Sequence, residues 1–380
     1  MKKKSSRKSK YSSSNLIDKN QVVLHILRLI LACVFIFSGT VKAIDPLGTV
    51  YKIEDYLIAF DGFFVNLTFA AFPFAILLIT TEILIGLSLL FQVYFNFFSW
   101  ATLVFMLIIT PLTYYVAVNN PVTDCGCFGD AIKISNWTTF YKNMILLVLA
   151  IALLIFNNRF RKIFVPSVEL VMVILFIATS IGFMIYNLTH LPVIDFRPYK
   201  VGVNIPDAMS IPADAPTDQY EYNFVYEKEG IRKNFGINEL PDSTWKFVSQ
   251  ETKLIKEGYK PPIHDFAILT SNFDDVTDEV LSYSGKSVII VMYDLGKTSE
   301  SGIYKVKDYI AKLVPSIKVF ALTASTSTEI QEFKNKYKIA FPFYKTDPIT
   351  LKTIIRANPG VVVIQNGTIL EKYNGARLSQ

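Results

Sequence analysis

Long apolar runs fill the first half of the chain and end near residue 190. A helix needs about 20 apolar residues to cross the roughly 30 Å hydrocarbon core of a bilayer. Stretches that reach or approach this length occupy residues 22–43, 69–91, 97–118, 140–156 and 168–188. One such stretch alone is compatible with a buried core helix, but five in half a chain favour membrane-spanning helices. The pattern therefore predicts an all-α membrane bundle.

Beyond residue 190 the pattern changes to short segments typical of a soluble α/β domain. Residues 220–228 and 231–235 alternate in polarity around Glu229-Gly230 and predict a β-hairpin. Further along, strand-like runs alternate with stretches of helical spacing. The strands are predicted at 287–293, 317–321 and 360–365, and the helices at 301–313, 327–337 and 349–355. Asn366-Gly367 favours a tight turn into a last strand at 368–373.

These patterns divide the chain into five predicted segments. They are a disordered basic tail (1–20), a four-helix membrane domain (21–160), a fifth transmembrane helix (161–190), a linker with a short β-hairpin (191–262) and an extracytoplasmic α/β domain (263–380). Hydrophobic residues make up 51% of the 380 residues and charged ones 18%, below the roughly 25% usual in soluble proteins. The net charge of +6 lies in the tail, so no basic nucleic-acid surface is expected elsewhere.

The distribution of lysine and arginine predicts how the helices are oriented. Basic residues concentrate in the tail and at residues 157–165, and the positive-inside rule places both on the cytoplasmic side. The loops around 44–68 and 119–139 and everything after residue 190 then face outward. We expect a multi-pass protein of the inner (plasma) membrane, surrounded by lipids, with a cytoplasmic N-terminus and a periplasmic or extracytoplasmic C-terminal domain.

Two of the three cysteines lie close together in the second predicted outward loop, in Asp124-Cys125-Gly126-Cys127. The outer compartment permits disulfides, and so tight a ring would be labile and reactive rather than stabilising. Three interpretations stay open: a redox pair, two unpaired or inert cysteines, and a thiolate site for a soft metal such as Cu(I). No metal ligands are assigned, and Cys33 is interpreted as a small apolar filler of the first helix.

Ionisable residues within membrane helices are costly, so they are functional candidates by default. Arg28 and Glu82 differ in predicted depth by only about 4–5 Å at the helical rise, and we expect them to pair. Lys42 and Asp45 flank the outer end of the first helix, where Pro46 stops it. Asn143 follows Lys142 near the start of the fourth helix, so we expect it near the cysteine loop.

Several motifs of the membrane half resemble known families. Ser38-Gly39-Thr40-Val41-Lys42 with Asp45-Pro46, and Glu82 with Gly86, resemble the first two helices of DoxX-like membrane proteins. Asp124-Cys125-Gly126-Cys127-Phe128-Gly129 with Lys142-Asn143 resembles the methylamine-utilisation MauE branch. The resemblance implies a four-helix bundle that exchanges electrons between a periplasmic thiol protein and a membrane quinone, through Cys125 and Cys127. Quinone-reducing relatives use two cysteine pairs, whereas this chain has one.

The last part of the chain resembles the thioredoxin-like fold in its peroxiredoxin and TlpA-like form. The strand and helix order and Asn358-Pro359 before a strand carry the resemblance, which implies a partner-binding loop at these two residues. The family's active cysteines would fall within residues 294–302, which contain none. Two further functions therefore stay open beside a thiol–disulfide or quinone oxidoreductase: a non-catalytic membrane-anchored binding or assembly module, and a thiolate metal handler.

Overall fold

The computed structural model describes residues 19–122 and 124–378, which divide into two compact units, one ending at Phe196 and one beginning at Arg197. Residues 1–18 of the predicted disordered tail lie outside the described residues.

The first unit is entirely helical. Its helices are α1 (Lys19–Ile44), α2 (Pro46–Ala59), α3 (Ala71–Phe91), α4 (Phe95–Asn119), α5 (Asn136–Ile155) and α6 (Pro166–Thr189), with 3₁₀ turns at Gly62–Ala70 and Asn157–Arg159. Within the described part of the chain, five helices are long and apolar enough to cross a membrane, and α2 is not among them. The chain is therefore a multi-pass membrane protein, as the apolar pattern predicts.

Two glycines bring α1 and α3 into close contact. A Cβ atom on Gly39 would lie 2.7 Å from Ile83 Cγ1, and one on Gly86 would lie 2.7 Å from the backbone nitrogen of Ile36. Small residues at a helix crossing let the backbones approach in this way. The interior beside this contact contains Leu31, Phe35, Ile85 and Leu89, which pack against α4 and α5.

The segment after α1 is a helix rather than the predicted loop. Asp45 caps α2 by accepting the backbone N–H of Gly48 at 3.0 Å, and Pro46 occupies the first helical position, where its missing N–H costs nothing. The apolar side of α2 packs on the first turns of α3 through Val50, Leu57 and Ala75. This contact lets α3 extend past the end of α1.

The second unit begins with helix α7 (Ile205–Met209) and a three-stranded antiparallel sheet. Its strands are β1 (Gln219–Lys228), β2 (Ile231–Gly236) and β3 (Lys246–Lys256), in the order β2-β1-β3. The β1–β2 hairpin has the predicted position. Strand β3 was not predicted because most of its residues are polar and its few apolar ones do not alternate, and all of them are exposed in the structure.

The remaining residues form an α/β domain. Its elements are α8 (Thr277–Leu281), β4 (Lys286–Val291), α9 (Glu300–Ala311), β5 (Lys318–Thr323), α10 (Ser327–Tyr337), β6 (Phe343–Lys345), α11 (Pro348–Ile354), β7 (Gly360–Gln365) and β8 (Thr368–Asn374). The sheet order is β6-β5-β4-β7-β8; β4, β5 and β6 are parallel, and β7 and β8 are antiparallel. Its central strands are buried, which accounts for their continuous apolar sequences.

Candidate functional site

A buried ion pair lies at the end of the bundle nearest the cysteine loop. Lys42 Nζ donates to both carboxylate oxygens of Glu82, at 2.9 and 2.8 Å, and to Ser38 Oγ at 2.7 Å. It also donates to the carbonyl oxygen of Cys127 at 2.8 Å, and Ser38 Oγ donates to the same carbonyl at 2.8 Å. All three helical side chains are buried. The pair therefore fixes the backbone of the cysteine loop to α1.

The predicted pair between Arg28 and Glu82 is wrong, because Glu82 binds Lys42. The predicted depths assumed that α1 and α3 begin and end at the same two membrane surfaces. In the structure, the first turns of α3 lie past the end of α1 and pack on α2. Ala43, near the end of α1, clusters with Ile79, which is two turns into α3. Glu82 thus lies level with Lys42, about 21 Å along α1 from Arg28 at the helical rise.

The loop brings Cys125 and Cys127 together with their Sγ atoms 3.5 Å apart, as free thiols. Gly126 between them has a φ of +65°, and a Cβ atom there would lie 2.8 Å from Lys52 Cγ. Asp124 accepts the N–H of Gly126 at 2.9 Å and pairs with Lys52 Nζ at 3.3 Å. Glycine is therefore required both for the backbone conformation and for the approach of Lys52.

The two cysteine carbonyls are held from different helices. Tyr56 of α2 donates its hydroxyl to the carbonyl of Cys125 at 3.0 Å, whereas α1 holds Cys127 through Lys42 and Ser38. Sequence reasoning missed Tyr56, Lys52 and Ser38 as site residues. The spacing of four between Ser38 and Lys42 marks one helix face, but no sequence signal points from Tyr56 to the loop.

The environment of the two sulfur atoms is asymmetric. A hydrogen bond from the Cys125 thiol, together with the charges of Lys142 and Lys42, lowers the pKa of Cys127 to about 6. The same hydrogen bond and burial raise the pKa of Cys125. Burial likewise raises the pKa of Tyr56, so its hydroxyl stays a donor. In the reduced pair, this asymmetry favours Cys127 over Cys125 as the thiolate.

Lys142 and Asn143 are adjacent on α5, but their side chains contact different parts of the protein. Lys142 Nζ lies 4.2 Å from the centre of the Phe128 ring, directly after the cysteines. Asn143 was predicted near the loop, but its amide nitrogen donates to Thr113 Oγ1 of α4 at 3.3 Å, within the bundle. On the same pair of helices, the buried hydroxyls of Thr110 and Thr139 have no hydrogen-bond partner among the described residues.

Cys33 does not fill the interior. It is exposed on the surface of α1, so the prediction of a packed filler is wrong. Within residues 19–122 and 124–378, no group of three histidine, cysteine or acidic side chains is arranged to hold a metal ion.

In the second unit, Asn358 and Pro359 lie beside the loop that leads to α9. The peptide bond between them is cis, and Asn358 Nδ2 donates to the carbonyl of Asp294 at 2.7 Å. Thr298 Oγ1 donates to Asn358 Oδ1 at 3.1 Å, and the N–H of Ser299 donates to the Asn358 carbonyl at 3.0 Å. Pro359 is buried and Asn358 is half-buried. A partner-binding role of these residues stays a prediction.

Comparison with protein families gives matches in two parts of the chain. Residues 20–156, which include α1 to α5 and the cysteine loop, match the family described as Methylamine utilisation protein MauE. Residues 220–257, which include β1 to β3, match a domain of unknown function, DUF8463. The comparison with curated proteins finds no match. The membrane half of the chain is thus similar to the MauE family over residues 20–156, which suggests a membrane protein in a redox or cofactor-maturation context.

Proposed function

We propose that the protein exchanges electrons with a thiol protein outside the membrane through Cys125 and Cys127. The observation that carries the proposal is the approach of the two sulfur atoms to 3.5 Å, with both backbone carbonyls held by hydrogen bonds from the bundle. The sulfurs need little movement to form a disulfide, and each half of the loop is held in place while they react. The MauE domain supports the same kind of chemistry.

The exchange begins with the pair oxidised to a disulfide. A thiolate of the partner attacks Cys125; the bond between Cys125 and Cys127 breaks, a partner–Cys125 disulfide forms, and Cys127 leaves as a thiolate. The partner's second thiolate then attacks the partner sulfur of the mixed disulfide. A disulfide forms within the partner, and Cys125 is released. Two electrons pass to the pair. Of the two protons lost by the partner, one is taken up by Cys125 and the other is released.

The asymmetry of the site favours attack at Cys125. A thiol with a low pKa is the better leaving group in disulfide exchange, and the pKa of Cys127 is lowered to about 6 by the Cys125 thiol and by Lys142 and Lys42. Stabilising the Cys127 thiolate also stabilises the reduced pair, which makes the disulfide a stronger oxidant of its partner. This direction of electron flow makes disulfides in the partner.

The family resemblance implies a membrane quinone as the next electron acceptor. When bound, a quinone supplies a two-electron, two-proton acceptor that returns the pair to the disulfide. The chain has side chains that fit such a group, because the Thr110 and Thr139 hydroxyls are buried donors without a partner among the described residues. We infer that these hydroxyls would bind the quinone carbonyls.

For the second unit we propose a thioredoxin-like fold that binds the partner without exchanging thiols itself. The parallel strands β4 and β5 joined through α9 and the antiparallel β7–β8 hairpin support this fold. The loop at residues 294–302 contains no cysteine. With an inner-membrane location and a cytoplasmic N-terminus, this unit and the cysteine loop would both face the outer compartment.

The proposal is tested by trapping the mixed disulfide in cells, with Cys33→Ser as the background of every variant. In Cys127→Ser, Cys125 can still attack the disulfide of an oxidised partner, which is the reverse of the exchange above, but no Cys127 thiolate remains to resolve the mixed disulfide. A reductant-sensitive adduct on Cys125 is therefore expected to accumulate. In the matched Cys125→Ser variant, far less adduct is expected on Cys127. Fully reduced cysteines that form no adduct in either variant would overturn the redox role and support the non-catalytic assembly module.

A further inference from the structure

The end of the bundle opposite the cysteine loop contains a buried cation that has no counter-ion among the described residues. Arg28 of α1 is only 7% exposed, and its Nε and Nη1 atoms have no hydrogen-bond partner among the described residues. A buried guanidinium group without acceptors is costly. An external anion would compensate this charge.

The surroundings of Arg28 show where such an anion would enter. Its guanidinium carbon lies 5.9 Å from the centre of the Phe160 ring, and the ring of His25 packs edge-on against the same phenylalanine at 5.1 Å. Phe160 belongs to the connection between α5 and α6, outside both helices. Arg28 lies about 10 Å along α1 from Gln21 at the helical rise, and its contact with Phe160 places the guanidinium group beside the connection between α5 and α6.

The charges at this end of the bundle are predominantly positive. The α5–α6 connection adds the exposed side chains of Arg159, Arg161 and Lys162. The acidic side chain at this end of the described chain is Glu169, in the first turn of α6. Its carboxylate is buried and accepts the backbone N–H of Tyr94 at 3.3 Å, with no ion pair to Arg28 within 4.0 Å. The site is therefore complementary to an anion.

We propose that the guanidinium group of Arg28, beside Phe160, binds a phosphate group at this membrane surface, supplied by the headgroup of an anionic phospholipid. A planar guanidinium group matches phosphate oxygens with two parallel hydrogen bonds. Basic residues between transmembrane helices at a membrane surface bind anionic headgroups in the same way. The site is separate from the cysteine loop, so this inference does not depend on the proposed redox function.

The test uses the full-length protein purified in detergent, with thermal melting and native mass spectrometry as readouts. Phosphatidylglycerol is added in one arm, phosphatidylcholine in a second and inorganic phosphate in a third. We expect phosphatidylglycerol to raise the Tm of the wild type and to remain bound in the mass spectrum, with little effect in the other two arms. Arg28→Gln is expected to lose at least half of the Tm shift, whereas Arg161→Gln, a matched exposed control, keeps most of it.

Several outcomes would overturn the inference. An equal shift in Arg28→Gln and wild type would show that Arg28 does not bind the lipid, and equal losses in Arg28→Gln and Arg161→Gln would indicate general surface charge. Equal protection by inorganic phosphate would replace the lipid by a free anion. If Arg28→Gln does not fold, Arg28→Lys takes its place in the same test, because lysine keeps the charge but cannot form the paired hydrogen bonds. Retention of phosphatidylcholine as strongly as phosphatidylglycerol by the wild type would also refute the proposal.

Discussion

The ion pair between Lys42 and Glu82 gives a quantitative test of how the cysteine loop is held. In Lys42→Met, the side chain keeps a similar length but loses its charge and its donors. The Glu82 carboxylate then stays buried without a cation, and the Cys127 carbonyl keeps Ser38 as its donor. We expect the variant to be destabilised and the loop to lose its attachment to the buried pair.

The magnitude follows from the burial of both partners, whose side chains are 6% and 7% exposed. Removing one member of a buried ion pair costs about 3–5 kcal/mol, because the other charge is left unpaired. Replacing both members by apolar side chains of similar volume is often nearly neutral. We therefore expect Lys42→Met to lose about 3–5 kcal/mol of unfolding free energy, and the double variant with Glu82→Met to recover most of it.

The assay is reversible unfolding of the purified protein by titration with sodium dodecyl sulfate, followed by circular dichroism. Lys52→Met is the matched control, because the pair between Lys52 and Asp124 is about a quarter exposed and 3.3 Å long. Ion pairs that are open to solvent contribute only about 0–1 kcal/mol to the free energy of unfolding. The reasoning is refuted if Lys42→Met unfolds like the wild type, or if the losses from Lys42→Met and Glu82→Met simply add in the double variant.

Two further predictions concern the helix crossing and the sulfur pair. Gly86→Ala should destabilise the bundle because its Cβ atom would meet the Ile36 backbone at 2.7 Å, whereas Gly182→Ala in α6, with open space around it, should be neutral or stabilising by up to about 1 kcal/mol; denaturation titrations compare the two. Alkylation of Cys127 in the reduced protein should rise with a midpoint near pH 6, the value to which its pKa is lowered, and Lys142→Met should move the midpoint upward, measured by mass spectrometry of the labelled peptide. An unchanged midpoint in Lys142→Met would contradict the role of that charge.

Much of the architecture could be predicted because buried positions appear in the sequence as apolar residues with the length and spacing of helices and strands. Five helices long and apolar enough to cross a membrane lie where the apolar pattern predicts them, because length and apolar composition can be read directly from a sequence. The central strands of the α/β domain read as continuous apolar runs because both faces are buried. Strand β6 has three residues, too few to give a periodic signal.

The contacts of the cysteine loop could not be predicted in the same way, because they depend on helix register. Counting residues along each helix predicted Glu82 beside Arg28, because the count treated α1 and α3 as ending at the same membrane surface. The amphipathic helix α2, which appears in the sequence as a loop with a few apolar residues, packs on the start of α3 and shifts the register. The same helix contributes Tyr56 to the Cys125 carbonyl, a contact without any local sequence pattern.

The two cations of α1 show why an intramembrane charge has to be interpreted from its acceptors. Lys42 donates to the Glu82 carboxylate, to Ser38 Oγ and to the Cys127 carbonyl, which use all three of its protons and account for its burial within the protein. Arg28 has comparable burial, yet its Nε and Nη1 atoms find no acceptor in the described residues. Both would be functional candidates by charge alone. The satisfied lysine holds the loop in which the sulfurs meet. The arginine has no acceptor for two of its nitrogen atoms among the described residues, which is the reason for the phosphate proposed at this membrane surface.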